Sequence, residues 1–333
     1  MAMQRRASQA DIAERLGVSV STVSRALAGE IGISEAVRAE VQSMARTLGY
    51  KSKHVSAPGG NKRAVALVPL GSATSGLSGF YFGIVEGMRS EAAAAGMALD
   101  VRLVNEHSVT LNLIGKQIGQ TDAGGLLLAG IDGWDELADW SAETGIPAVL
   151  VNGSDPQMRF SSSSPANFYG AYQATRRLLD AGHRRILHFT HRARPTILQR
   201  LRGFEAAIGE VPNAEGVVVN TDQTTTKNLL GELLIGKHDV MFSWNDIAAV
   251  EMLDLLYGPY STMPKGFSII GFDDLPIADM ATPRLSTVRV NREAIGRGAV
   301  RLLGQHMDGE KSIQQLQVGV TMVEGETVFS LSP

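Results

Sequence analysis

Apolar positions along this chain follow two rhythms. Up to residue 49 they come in three short bursts, each at the spacing of one helix face. Ile12, Ala13 and Leu16 form the first and Gly17 stops it; Val20, Val23 and Leu27 form the second, ended by Gly29; Val37, Val41, Ala45 and Leu48 form the third, ended by Gly49. Ser8 with Asp11 reads as a capping box, and Ser19 and Ser34 stand where the next two helices need an N-cap. From Ala64 onward, short apolar runs alternate with amphipathic stretches. AVALVPL, ALDVRLVN, GGLLLAG and IPAVLVN predict buried strands, and FYFGIVEGMRSEAAAAG, LNLIGKQIGQ and DELADWSAETG the helices between them. The alternation restarts at GAYQATRRLLDAG and continues through RRILHFT, QRLRGFEAAI, GVVVN, KNLLGELLIG, DVMFSW, AAVEMLDLLYG and FSIIGFDD. Such alternation predicts parallel sheets with helices on both faces. Its restart predicts two lobes with a cleft where strand C-termini face each other. The expected fold is an all-α head followed by a two-lobed α/β body.

Composition narrows the class. A length of 333 residues exceeds one ordinary core. With 44% hydrophobic and 20% charged residues, the chain is of ordinary globular type rather than disordered. No apolar run reaches the roughly 20 residues that span a bilayer. The opening MAMQRRASQADIAERLG lacks the apolar core of a signal peptide, so a cytoplasmic, nucleoid-associated protein without membrane contact is expected. There are no cysteines, which removes disulfides, thiolate metal sites and cysteine nucleophiles together. The net charge of −3 is unevenly spread: residues 1–63 hold ten Lys/Arg against five acids, and the remainder carries −8. A basic head on an acidic body points to a polyanionic partner at one end only.

Two short helices joined by Gly17-Val18-Ser19 make a helix-turn-helix pattern, whose second helix enters the major groove of DNA. Its outward residues Val20, Ser21 and Ser24 are short enough to approach base edges, and Arg25 can reach a guanine or a phosphate. The alternative is a three-helix interaction module that binds no nucleic acid.

The stretch DIAERLGVSVSTVSRALAG followed by SEAVRAEVQSMARTLGY resembles the DNA-binding head of the lactose-repressor (LacI/GalR) family, through Ala13, Gly17-Val18-Ser19, Thr22-Val23-Ser24-Arg25 and Gly49-Tyr50. The resemblance implies that Val20 and Ser21 read bases, that Arg25 contacts a base or phosphate, and that Ser8, Ser19 and Ser24 contact the DNA backbone. It extends over the body through IPAVLVN, GAYQATRRLLDAGHRRI, Arg200 to Gly203-Phe204, SWNDIAA, SIIGFDD and PRLSTVRVN, which look like the family's periplasmic-binding-protein-type sensor. By that analogy residues 1–53 form the head, 54–63 the hinge or linker, 64–165 with 291–318 one sensor lobe, and 166–290 with 319–333 the other. No leucine heptad follows, so a homodimer is expected. Its double-stranded operator would be near-palindromic.

One segment departs from the family pattern. Where relatives carry Pro-Asn and a hinge helix with a minor-groove leucine wedge, this chain reads KSKHVSAPGGNKR, with Gly59 at the wedge position. Pro58-Gly59-Gly60 disfavours a helix, so a flexible linker and little DNA kinking are expected. The other reading is a single-turn hinge helix formed on DNA.

For the sensor, the resemblance implies effector contacts from Arg200, Asn245 and Asp273, and aromatic contact from Phe80 and Tyr81. Asp132, just after a strand, can bind a hydroxyl. Thr221-Asp222-Gln223 lacks the aromatic that relatives often carry there, so Gln223 is expected to hydrogen-bond instead. Arg202 reads as solvated and Trp244 as core, and Ala166 replaces the usual aspartate before Asn167. His183, His188 and His191 lie close in sequence, but strand spacing does not converge them, so no metal is expected. Asp273 and Asp274 point apart as neighbours at a strand end, and no P-loop, GxGxxG after the first strand or GxSxG elbow is present. A non-enzymatic regulator without cofactor is therefore expected, most simply a repressor controlled by a carbohydrate-like small molecule. The rivals are a regulator controlled by a protein partner or by no ligand, and a carbohydrate-binding protein outside regulation.

Overall fold

The computed structural model describes residues 8–27, isolated positions between 33 and 48 (33, 34, 37, 40, 41, 43, 44 and 48), and residues 62–70, 79–191, 194–220, 240–257 and 267–331. The chain divides into two compact units, residues 1–58 and 59–333. Gln223, the helix expected over KNLLGELLIG, the Gly59 wedge position and the hinge residues before Lys62 lie outside the described residues.

In the first unit, α1 (Gln9–Leu16) starts at the expected capping box, with Ser8 and Asp11 bonded reciprocally, and ends at Gly17 in the left-handed region (φ 63°). The second helix, α2 (Val20–Leu27), follows after two residues. Ile12, Ala13, Val23, Ala26 and Val41 make a small core, with Leu16, Val18, Ile33, Val37, Met44 and Leu48 packed around it. Val20, counted above both among the apolar positions of its helix and on its outward side, is 48% exposed. The inward face is instead built on Val23 and its i+3 partner Ala26, both fully buried.

The second unit contains two parallel sheets. Strands β1 (Arg63–Pro69), β2 (Ala98–Val104), β3 (Gly125–Ala129), β4 (Ala148–Val151), β5 (Ser161–Pro165) and β11 (Gln315–Val318) form a six-stranded sheet in the order β11-β5-β4-β3-β1-β2. Strands β6 (Arg185–Thr190), β7 (Glu215–Asn220), β8 (Val240–Ser243) and β9 (Ser268–Ile270) form a four-stranded sheet in the order β7-β6-β8-β9. The antiparallel pair β10 (Thr287–Val290) and β12 (Val320–Val323) completes the strands among the described residues. The helices between are α3 (Phe80–Ala94), α4 (Leu111–Thr121), α5 (Asp135–Thr144), α6 (Asn167–Asp180), α7 (Pro195–Gly209), α8 (Asp246–Tyr257), α9 (Pro276–Met280) and α10 (Arg292–Met307).

Period-2 alternation explains why the central strands read as continuous apolar runs. On β1, Val65 and Leu67 enter one core while Ala64, Ala66 and Val68 enter another on the opposite face. Each fully buried Leu or Val of this kind contributes about 1.5–3 kcal/mol. The strand β5 escaped the pattern because it is polar: Ser161 to Ser164 are all buried. Three of the hydroxyls have partners: Ser163 donates to the Ile295 carbonyl at 2.8 Å, Ser164 donates to the Gly153 carbonyl at 3.0 Å, and Ser161 Oγ accepts the Gln314 N–H at 2.9 Å. Helices α3 and α10 cross at glycines. A Cβ on Gly87 would lie 2.1 Å from the Glu293 carbonyl oxygen, and one on Gly296 2.1 Å from that of Ile84.

Candidate DNA-facing helix and ligand cleft

The head and the body present separate sites. In the head, Ser19 Oγ accepts the Thr22 N–H at 3.0 Å, so it caps α2 as Ser8 caps α1. Val20, Ser21, Ser24 and Arg25 are exposed, and their i, i+1, i+4, i+5 spacing keeps them on one side of α2. The helix therefore turns its buried face to α1 and a face of short side chains plus one guanidinium to solvent.

In the body, the C-terminal ends of the four-stranded sheet hold Arg200. The residue is 3% exposed, with Nε donating to Asn167 Oδ1 at 2.9 Å, Nη2 to Asp273 Oδ1 at 3.2 Å and Nη1 to the Trp244 carbonyl. Its Cζ lies 3.6 Å from the centroid of the Phe272 ring, a cation–π contact. Burial draws the Arg200 pKa down, and the Asp273 charge opposes it. Burial likewise pushes the Asp273 carboxyl up to about 6, although Arg200 and Arg292 pull the other way. Asp273 and Asp274 both adopt positive φ, 118° and 52°, sparsely populated values for such residues. They do point apart: Asp273 meets Arg200, and Asp274 meets Arg289. Arg292 donates to the carbonyls of both, at 2.7 and 3.1 Å, and so fixes the turn.

Asn245 Oδ1 accepts the Ala248 N–H at 2.9 Å, capping α8. Beside it Asp246 is fully buried, accepting the Leu275 N–H at 2.7 Å and the Thr287 hydroxyl; burial, then the nearby Asp273 charge, push its pKa up to about 7. Thr196, one helical turn before Arg200, and Ser243 at the end of β8 are buried, and their hydroxyl oxygens have no hydrogen-bond partner among the described residues. The Trp244 indole Nε1 has none either. Ala166 sits at the N-cap of α6 without a side-chain cap. Arg202 is exposed, and Trp244 packs against the core around Leu187 and Phe189.

The six-stranded sheet contributes Tyr81 and Asp132. Asp132 Oδ1 accepts the Ser154 N–H at 2.8 Å, and Tyr81 OH lies 3.2 Å from Asn152 Nδ2. Phe80 packs against the core with its ring edge-to-face on Tyr81, centroids 5.3 Å apart. Sequence reasoning missed the residue that unites this group. Arg194, just before α7, donates from Nε to Asp132 Oδ2 at 3.1 Å and from Nη2 to the Asn152 carbonyl at 2.7 Å. Its partner lies 62 residues upstream on the other sheet, so no local pattern marks it. Asn167, Asn152, Phe272 and Arg292 were also not singled out as site residues; only their positions at strand and helix ends could have drawn attention to them.

The three histidines stay apart. His183 bonds Ser268 and the Phe329 carbonyl, His188 lies between the Phe204 and Phe242 rings, and His191 meets Trp244 edge-on. Among the described residues no group of three or more His, Asp or Glu could hold a metal ion, and no helix is long and apolar enough to cross a membrane.

A helix-turn-helix head carried on a two-sheet α/β body with a buried arginine at the sheet ends defines a class, the DNA-binding regulators built on a ligand-sensing fold. Residues 10–53 match the model for bacterial regulatory proteins of the lacI family, and residues 175–328 that for a periplasmic binding protein-like domain. The chain is 28% identical over 310 residues to the HTH-type transcriptional regulator GntR of Pseudomonas aeruginosa, covering 88% of this chain and 87% of the relative. It is also 28% identical over 325 residues to the HTH-type transcriptional regulator CelR of Thermobifida fusca, covering 93% and 94%. A solved CelR–cellobiose complex superposes with a TM-score of 0.68 at 25% identity, covering 97% of this chain and all of the other. The chain thus carries a lacI-family DNA-binding domain and a periplasmic binding protein-like domain, and the relatives it resembles over nearly its whole length are transcriptional regulators.

Proposed function

We propose that this regulator is a repressor whose operator affinity is set by a small, hydroxyl-rich molecule bound between the two sheets. The observation that carries this is the Arg200 site. A guanidinium held by Asn167, Asp273 and the Phe272 face offers directed donors, and the unpartnered Thr196, Ser243 and Trp244 polar atoms nearby are groups a polyhydroxyl ligand would satisfy. The related CelR structure holds cellobiose, which supports a carbohydrate as the ligand class. Asp273 and Asn245 are assigned to ligand hydroxyls. Tyr81 and Asp132 serve the opposite wall of the cleft, with Phe80 packed behind. In the head, Val20 and Ser21 read bases, Arg25 contacts a base or phosphate, and Ser8, Ser19 and Ser24 face the backbone.

We assign the lobe boundaries to 165/166, 290/291 and 318/319, a reading supported by the strand order of the two sheets. Two copies would then place their α2 helices in successive major grooves of a near-palindromic operator, inside the cytoplasm. Ligand acts by its differential affinity for two arrangements of the lobes. The test is Asp273→Ala in a repression reporter. The variant is expected to retain operator binding and lose the response to an effector found by screening cellobiose, ribose and other sugars. A normal response in Asp273→Ala would remove this site from the account.

A further inference from the structure

Arg194 ties the two sheets together by a side-chain ion pair, where Arg292 crosses between them only to backbone carbonyls. It leaves the four-stranded sheet's side, between β6 and α7, and ends among groups of the six-stranded sheet. Asp132 receives it at 3.1 and 3.4 Å, the Asn152 carbonyl at 2.7 Å, and Tyr81 stands against both Asn152 and the guanidinium. All of these groups belong to the chain itself. The receiving end is also built: Asp132 is held in place by the Ser154 N–H, and Asn152, whose carbonyl accepts from the arginine, has a positive φ of 51°. Gly130 lies so close to Tyr81 that a Cβ there would sit 2.2 Å from the phenol oxygen, which fixes the ring from behind. With side chains about one quarter exposed, the pair is shielded from solvent yet reachable.

We propose that Arg194 is a built-in clasp across the cleft, and that a ligand must take Asp132 from it to occupy the six-stranded sheet's wall. This rests on the cleft being the control site proposed above. A planar fork with two carboxylate contacts and one carbonyl contact is directional, so it favours one relative placement of the sheets rather than general attraction. The clasp thus biases the lobe equilibrium before any ligand arrives. A ligand that replaces its contacts shifts that equilibrium only by the difference between the new contacts and the old.

The experiment uses the absence of cysteines. Cysteines placed at exposed Lys116 on α4 and exposed Arg202 on α7 carry spin labels, one per sheet, in the full-length protein. Electron–electron distance measurement is then made in the parent, in Asp132→Asn, in Arg194→Ala, and in the swapped pair Asp132→Arg with Arg194→Asp. The clasp predicts a single short distance in the parent and a longer, broader distribution in both single variants. Partial return in the swap is a coupling that a merely structural role would not produce. Far-UV circular dichroism checks folding, and the milder Asp132→Asn keeps the test decisive if Arg194→Ala does not fold. Unchanged distances in the folded single variants would overturn the proposal. Operator affinity of the same variants reads the link to control: altered distances with unaltered affinity would keep the clasp and refute the cleft as the control site.

Discussion

Arg200 and Arg194 sit six residues apart and behave differently, and the difference lies in where their partners are. Arg200 finds Asn167, Asp273 and the Phe272 ring around its own sheet. Removing this buried arginine, 3% exposed, takes from buried Asp273 its ion-pair partner. Arg200→Ala should therefore lower stability by about 3–5 kcal/mol in urea unfolding, the cost typical of breaking one side of a buried pair. A loss below about 1 kcal/mol, the worth of an exposed pair, would show that the pair is solvated. His188 gives a pH-dependent prediction. Burial between Phe204 and Phe242 lowers its pKa from 6.5 to about 4. A group whose folded pKa is depressed contributes stability above its unfolded pKa and loses it as pH falls through the folded value. Wild-type protein should thus lose melting temperature between pH 6.5 and 4 more steeply than His188→Phe. The comparison has to be variant against parent, because Asp246, raised to about 7, acts in the opposite sense. Its contribution is fully present below pH 3.8 and falls as pH rises through 7. Equal slopes for the two proteins would mean that His188 is protonated while folded.

At the scale of elements, packing at glycines decides how α3 and α10 meet. Gly296→Ala puts a methyl group into the Ile84 carbonyl, and backbone cannot yield as a flexible side chain can. The expected cost is about 1–3 kcal/mol, read by thermal melting; an unchanged melting temperature would show that the helices can slide apart freely. The same scale shows what a sequence reveals. Strands β1, β3, β4 and β6 were legible because both of their faces are buried, which writes them as apolar runs. The strand β5 was not, because a run of serines carries no hydrophobic rhythm and its hydroxyls reach carbonyls outside the strand, at Gly153 and at the distant Ile295. Capping residues were legible at Ser8 and Ser19, since caps are local. Asp132 could be nominated from its place after a strand, but its tie to Arg194 could not, since that depends on how the two sheets face each other.

Across the whole molecule, the proposed roles divide between the basic head, for DNA, and the acidic body, for sensing. Arg25→Ala should abolish specific operator retention in a filter or mobility-shift assay while leaving the melting of the 59–333 unit unchanged. The reason is that Arg25 is exposed and sits in the unit spanning residues 1–58. Retained specificity in that variant would move base reading elsewhere on α2. Neutralising a phosphate contact alone would instead weaken binding to all sequences and lessen its salt dependence. The most direct test of the central claim is to recover and sequence genomic fragments bound by the purified full-length protein, then repeat the retention with cellobiose, ribose and other sugars present. A few near-palindromic sites are expected at moderate salt, with a change in their retention when one of the sugars is present. Binding without sequence preference even at low salt, or specific sites that no small molecule affects, would contradict it.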